Sequence, residues 1–504
     1  MLLEAKGGVS TEYPVNTLTA MLAAGEQKYD SVCVNAGVTA DGEFILCGED
    51  LADAILRWTK EQWLEYDAGG AFHTKFKGIR LASLEEVLKL AADRDVPLKV
   101  RIESSWDQMK QEHRDRLFRL LMRYPGIGEL TCRTAEALKA VESAFQGQRL
   151  HYEGEWTEFL KEAAWKDRLT VWIPYEKLEL AEEIKEYAHV GVTGVQNYRQ
   201  LEAAENAGAY IVQTPGQIKP VQRKGFLADM HTHSRNSMDA SVPVVDLCRG
   251  EIEGGAGMVA ITEHEEMQWL DTRKDYDMDA FLLGADSEIR EVRKELGDEI
   301  EILQGIELGQ AAWYPEEADR LIHLLPFDII VGCVHEIRDP SIPDKVEAIT
   351  PWQSFFKPEF AEKRHMFWEQ YFQETLVMVQ TVDIDTVAHM GFVARSAKVR
   401  IGLDVDLHPY EKVIREILQC MIDKGIALEV NSGGFASSGT CSTPDWILEL
   451  YRDMGGYLIT LASDAHGAKC PVNAAFPQVA DKLRAMGFRN IFYYKGRRSY
   501  PCAL

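Results

Sequence analysis

Hydrophobic positions along the 504-residue chain fall into short runs separated by longer stretches of helical spacing. This is the pattern of parallel strands joined by crossover helices. In the C-terminal region the runs are Phe226 to Met230, Gly257 to Thr262, Ile300 to Ile306, Ile329 to Val334, Ile384 to Ala388, Ile426 to Val430 and Tyr457 to Ala462. Seven such strands suit a barrel better than a small open sheet. Helices are expected between them, among them Ala285 to Leu296 and Pro409 to Lys424, with Gly297 and Gly425 at their C-terminal ends. Comparable runs at Ser31 to Val34, Glu43 to Cys47, Pro97 to Ile102, Leu169 to Ile173, Val190 to Val195 and Ala209 to Val212 give the N-terminal region the look of a (β/α) barrel as well. The polar segment from Gly216 to Gly225, interrupted by Pro220, divides the two. The expectation is an α/β chain of two barrels in tandem, residues 1–220 and 221–504, whose sequences do not repeat each other.

The length agrees with two domains, since one hydrophobic core rarely serves so long a chain. No apolar stretch approaches the roughly 18 residues of a membrane span, so a soluble protein is expected. Met1-Leu2-Leu3-Glu4-Ala5-Lys6 lacks the basic region and apolar core of a secretory signal. The nine cysteines are scattered, with no Cys-x-x-Cys pair, and read as reduced thiols in a cytoplasmic protein. A net charge of -25, from 55 basic and 80 acidic residues, excludes long nucleic acid as a partner held by counterion release. Small ligands are favoured, and an anionic one would need local positive charge, which bound metal ions supply.

Histidine usage points to where. Four of the thirteen histidines, His73, His113, His151 and His189, precede the boundary, with no two close in sequence. In the other region His231 and His233 follow an apolar run directly, and their spacing of two puts both imidazoles on one side of a strand, an arrangement suited to a divalent transition metal. Later runs also end in a potential ligand: Glu263-His264, Glu307, His335, His389, and Asp464-Ala465-His466. Singly, each has an ordinary explanation. His389 reads as a hydrogen-bonded core histidine, Glu307 as a cap or ion-pair partner and Asp464 as a helix N-cap. Together, six such coincidences at strand ends point to one rim, because parallel barrels gather their sites at the C-terminal ends of the strands.

On these residues the region from about Phe226 to Leu504 resembles the polymerase and histidinol phosphatase (PHP) superfamily, and the fold implied is a distorted seven-stranded barrel. The resemblance matches nine metal-ligand positions: His231, His233, Asp239, His264, Glu307, His335, His389, Asp464 and His466. It implies up to three divalent ions (zinc, manganese or iron). One would be held by His231, His233, Glu307 and Asp464, a second by Glu307, His335 and His389, and a third by Asp239, His264 and His466. Such ions and their three carboxylates leave about +3 at the rim, which attracts phosphate. A metal-bridged hydroxide would be the nucleophile, with no catalytic side chain required.

The likeness is greatest to histidinol-phosphatase-like members. It is carried by Leu428-Glu429-Val430-Asn431-Ser432-Gly433, Ser463-Asp464-Ala465-His466 and Met486-Gly487-Phe488-Arg489-Asn490-Ile491. Two departures are Gly391, where the family usually has a carboxylate two residues after His389, and Glu263, where Asp is commoner. The implied activity is hydrolysis of a small phosphomonoester. The alternatives are a phosphodiesterase or nucleotidase acting on small nucleotides, and a non-enzymatic, metal-stabilised sensor or scaffold. Arg395 and Arg400, with Lys398 between them, are candidates for phosphate contact, because the guanidinium fork suits oxyanions; a solvated basic patch is the plainer reading. The long connection from Glu336 to Asp383 is rich in aromatics; from Glu359 to Gln380 their helical spacing directs them to the core. That leaves Trp352, with Phe355 and Phe356, as candidates for substrate contact.

The region from roughly Glu4 to Pro215 resembles the glycerophosphodiester phosphodiesterase family, a TIM-like barrel, through Pro14-Val15-Asn16-Thr17-Leu18, Thr39-Ala40-Asp41-Gly42 and the segment Gly208 to Pro215. Its reactive positions are altered. Lys6 and Gly48 stand at the two catalytic histidines, Val15 at a metal-binding glutamate, and Cys33 and Asn35 at the Glu-x-Asp ligands. This barrel is expected to be catalytically silent, with docking, ligand binding and self-association all open as roles, and the oligomeric state open with them.

Overall fold

The structure, a computed structural model, describes residues 1–47, 51, 57–102, 106, 109–161, 165, 167–221, 223–224, 227–268, 277–338, 348–349, 358–433, 435, 439–467, 473 and 475–504. Contacts divide the chain into Met1–Pro220 and Val221–Leu504.

In the first unit eight strands run parallel: Leu2–Lys6, Ser31–Val38, Leu98–Ile102, Gly128–Cys132, Leu150–Tyr152, Leu169–Pro174, His189–Thr193 and Ile211–Thr214. Leu2–Lys6 pairs with both Ser31–Val38 and Ile211–Thr214, which closes the barrel. The run at Glu43 to Cys47 is not one of its staves. Phe44–Leu46 folds back antiparallel on Ser31–Val38. The connection is a tight turn, with Gly42 at φ +75 and Glu43 N donating to Thr39 Oγ1 at 3.0 Å, and parallel pairing would need a crossover of a dozen residues or so.

Three staves, Leu2–Lys6, Gly128–Cys132 and Leu150–Tyr152, lie outside the apolar runs because polar residues interrupt them. The reason is inside the barrel. Lys99 Nζ reaches Glu4 Oε1 at 2.6 Å and lies 3.1 Å from the centroid of the Trp172 ring, and Gln213 Nε2 donates to the same Glu4 oxygen at 2.8 Å. Glu4 and Lys99, like Lys99 and Trp172, sit on strands that are not neighbours, so they meet through the interior.

The second unit is a nearly closed barrel of seven parallel strands in chain order: Ala228–Thr232, Met258–Glu266, Glu301–Gly309, Ile329–Cys333, Thr386–Val387, Ala427–Asn431 and Ile459–Ala462. Each overlaps an apolar run of the sequence. The longest two pair in unbroken register from Met258 opposite Glu301 to Glu266 opposite Gly309. Closure occurs only at the C-terminal rim, where His233 N donates to Ala465 O and Asp464 N to His231 O, each at 2.9 Å. Helix Glu411–Lys424 ends at Gly425, whose φ of +71 is the left-handed conformation that glycine accommodates most readily. Helix Arg364–Thr381 buries Phe367, Trp368, Tyr371 and Phe372 against the core, as its spacing indicates. Among the described residues no helix is long and apolar enough to cross a membrane.

Phe372 is fully buried in that core, so Phe372→Ala is expected to cost about 3–5 kcal/mol. A urea titration would show a lower midpoint for the second unit with unchanged slope.

Candidate metal centre

All nine residues singled out in the second unit lie at one rim. His231 is on the last turn of its strand and His233 just beyond it, while Asp239 follows in the loop. His264 and Glu307 face each other in register on adjacent strands. His335 and His389 follow the next two strands by two residues, and Asp464 and His466 follow the last. The two rim hydrogen bonds that close the barrel join the His231–His233 segment to the Asp464–His466 segment, so closure and convergence have one cause. His389 (φ +31) and Asp464 (φ +57) are non-glycine residues in the left-handed region. Such conformations persist where the surroundings over-determine them, and they cluster at functional sites.

The side chains meet in three groups. His231 Nε2 and His233 Nε2 are 2.9 Å apart, at 3.3 and 3.6 Å from Glu307 Oε2 and at 3.8 and 3.4 Å from Asp464 Oδ1. His335 Nε2 and His389 Nε2 are 3.4 Å apart, at 3.5 and 3.1 Å from Glu307 Oε1. His264 Nε2 and His466 Nε2 are 3.3 Å apart, at 3.5 and 3.3 Å from the Asp239 carboxylate. Ligands about 2.0–2.1 Å from a tetrahedral ion lie about 3.3 Å from one another, which is the spacing seen. Three times an imidazole Nε2 faces another imidazole Nε2. His231, His335 and His466 each have Nδ1 on an oxygen acceptor, so when neutral each aims its Nε2 lone pair at the facing ring, and a shared proton or metal ion settles the contact. The donor set of imidazole and carboxylate is one that divalent first-row ions accept.

Charge follows the same geometry. Burial alone would push the pKa of His231 down, but the Glu429 and Glu307 carboxylates hold it well above the usual value. Burial and the neighbouring His264 imidazole push His233 well below its usual value. Glu307 has no exposure, and burial opposes its ionisation, yet His231, His264 and His335 keep it well below the usual carboxylate range.

Several residues that orient the cluster had no role assigned from the sequence. Glu429 Oε2 meets His231 Nδ1 at 2.7 Å, while Glu429 Oε1 accepts from His389 N at 3.0 Å and Asn431 Nδ2 at 2.9 Å. Glu266 Oε1 meets His335 Nδ1 at 2.6 Å. Period-two spacing could have found Glu266, two residues after His264, had the strand been extended beyond Thr262. Glu263 is drawn away from the cluster and accepts from Ser234 and Ser237. Gly391 has φ +100, and a Cβ there would lie 2.9 Å from both Pro444 Cδ and Ser442 O, which explains why no carboxylate follows His389 at this position.

A cavity of about 340 Å³ opens over the cluster, lined by Met238, Glu266, Gln268, Glu336, Phe392 and Arg395 besides six of the candidate ligands. Of the basic candidates only Arg395 belongs to it. Arg400 lies five residues further along helix Phe392–Ile401, about 140° around its axis, and is exposed. Lys398 is half-exposed and paired with Asp404 at 2.9 Å. Trp352, Phe355 and Phe356 lie outside the described residues, as does Gly48 of the first unit.

A barrel with a histidine and carboxylate rim of this kind defines a class, and comparison with known proteins points to it: residues 229–433 match the PHP domain family. A histidinol-phosphatase from Lactococcus lactis is 26% identical over 242 residues, 48% of this chain and 84% of that protein. A glycerophosphodiester phosphodiesterase from Caldanaerobacter subterraneus is 26% identical over 158 residues, 30% of this chain and 59% of that protein. The crystal structure of histidinol phosphate phosphatase from Lactococcus lactis, complexed with zinc, L-histidinol and phosphate, aligns with a TM-score of 0.43 at 22% identity, covering 56% of this chain and 99% of that one. Both resemblances read from the sequence are borne out.

Without metal, burial opposes protonation of His335 and His466, but Glu266 and Glu307 hold the first at about 10, and Asp239 and Asp464 hold the second at about 9. Both values lie above the ordinary imidazole value of about 6.5. The pairing therefore stabilises the metal-free fold fully below about pH 6.5 and is lost as pH rises through about 9 and then about 10. The melting temperature of chelator-treated protein should fall across that window. A flat profile would show that these carboxylates do not keep the imidazoles charged.

Proposed function

We propose that the second unit hydrolyses a small phosphomonoester, histidinol phosphate first among those to test, using up to three divalent ions. The ions would be held by His231, His233, Glu307 and Asp464; by Glu307, His335 and His389; and by Asp239, His264 and His466. The observation that carries the reading is the meeting of three groups of imidazoles and carboxylates at a single rim, two of them on the two oxygens of Glu307. The PHP domain and the similarity to a histidinol-phosphatase support the reaction class. A cavity of about 340 Å³ suits a phosphate carrying a small organic group and is too small for a long polymer.

Divalent ions bound here would polarise the phosphoryl oxygens and make a coordinated water acidic near neutral pH. The chain's own contribution is placement. Glu307 reaches two groups at once and so sets their separation. Arg395, on the cavity wall and near Asp464, offers its fork to a phosphoryl oxygen. Among the described residues lining the cavity there is no serine, cysteine, threonine or lysine, and most of its histidines and carboxylates are assigned to the ions, which favours water as the attacking group.

The first unit is read as catalytically silent. Lys6, Val15, Cys33 and Asn35 stand where the resembled family has its reactive residues. Burial moreover pushes the Cys33 thiol up to about 11, away from a reactive thiolate. Among the described residues the ligand groups able to hold a metal all belong to the second unit.

Full-length protein assayed with zinc, manganese or ferrous iron should release phosphate from histidinol phosphate. Asp464→Ala should lower both metal content and kcat/KM, the latter by about 100-fold or more. Arg395→Ala should retain its metal and lose roughly 10- to 100-fold, mainly in KM. Asp464→Ala with full activity and full metal loading would sink the assignment, and hydrolysis of a glycerophosphodiester by that variant would sink the silent reading of the first unit.

A further inference from the structure

We infer that Gln310 and Glu266 act together as a positioning pair for His335, an inference that rests on the reading of His335 as a metal ligand. Gln310 directly follows strand Glu301–Gly309, is buried, and has φ +54 and ψ 30. A non-glycine residue holds this left-handed conformation only when its surroundings demand it. The demand comes from the side chain. Gln310 Nε2 donates to Glu266 Oε2 at 2.7 Å and to Gln268 Oε1, while Gln310 Oε1 accepts from His335 N at 2.7 Å and Glu336 N at 3.1 Å.

Two donated and two accepted bonds are the full capacity of a carboxamide. Its orientation is therefore fixed, because turning it over would set N–H against N–H and oxygen against a carboxylate. Neither a carboxylate nor an apolar side chain could take its place. The other Glu266 oxygen meets His335 Nδ1 at 2.6 Å. His335 is thus held at its backbone N by Gln310 and at its ring by Glu266, which leaves Nε2 directed at Glu307 and His389.

The strand leaves room for this contact. Glu266 and Gly309 are register partners, and a Cβ at Gly309 would come within 2.3 Å of Glu266 Oε2. A carboxylate on Nδ1 fixes the tautomer that frees Nε2 for a metal and makes the ring a better ligand. Gln310 in turn keeps that carboxylate from swinging away. It reaches the His335 ring through Glu266 and does not touch it.

The test uses full-length Gln310→Glu, Glu266→Gln and the double variant, each equilibrated with zinc, with bound zinc counted by elemental analysis and folding followed by melting temperature. Gln310→Glu sets two carboxylates against each other, and Glu266→Gln sets two amides together; the double variant restores an amide against a carboxylate. Each single variant is expected to weaken one zinc site by about 10- to 100-fold, and the double to bind zinc more tightly than Gln310→Glu while staying below wild type, because an amide then stands on His335 Nδ1. Should Gln310→Glu not fold, Gly309→Ala, which displaces Glu266 while keeping every hydrogen-bonding side chain, carries the same expected loss. Zinc binding equal to wild type in the folded variants, whatever their stability, would overturn the positioning role and leave the reading of the site intact. A wild-type chain that binds no zinc would overturn the site reading itself, and this inference with it.

Discussion

A carboxylate with no access to solvent sits at the centre of the second unit, and its burial is tolerable only because cationic groups surround it. Glu307 has His264 Nδ1 at 2.7 Å, His389 Nε2 at 3.1 Å, His231 Nε2 at 3.3 Å and His335 Nε2 at 3.5 Å from its two oxygens. Each of those imidazoles comes from a different strand end, so neutralising one charge requires the barrel to be nearly complete. Two further buried carboxylates, Glu429 and Glu266, turn the outer ring nitrogens of His231 and His335 and leave the inner ones converging. Fold and site are one arrangement: a slip of one residue in the register of Met258–Glu266 against Glu301–Gly309 would part His264 from Glu307.

The two units handle interior charge in opposite ways. In the first, buried Lys99 is matched by buried Glu4, while Arg101 and His151 reach the partly exposed carboxylates of Glu153 and Glu129. In the second, imidazole nitrogens face each other across 2.9 to 3.4 Å, an arrangement that needs a shared proton or metal ion between the rings. The first pattern closes on itself, and the second calls for cations from outside. Among the described residues the candidate ligand groups accordingly all lie in the second unit.

The architecture of the second unit was legible because its strands are buried on both faces and so read as apolar runs, and the candidate ligands were legible because they stand where those runs stop. Much less could be read from the first unit, whose inward-facing charges break the runs at Leu2–Lys6, Gly128–Cys132 and Leu150–Tyr152. Glu429, noted only within a motif, and Glu266 were given no role for a related reason: a carboxylate inside a strand looks like a solvent-facing position until its partner across the barrel is known. Gln310 left no trace in the sequence, since its role depends on a left-handed backbone and on four partners from two other segments. Helical phase alone would have separated Arg395 from Arg400, once the start of their helix was known.

The central claim is that ions complete the balance around Glu307. Diffraction from zinc-grown crystals of the full chain, collected on both sides of the zinc absorption edge, tests it most directly. The account predicts anomalous peaks between the paired ring nitrogens of His231 and His233, of His335 and His389, and of His264 and His466. Crystals whose only anomalous peaks lie at the protein surface, with the imidazoles still closed on Glu307, would contradict it.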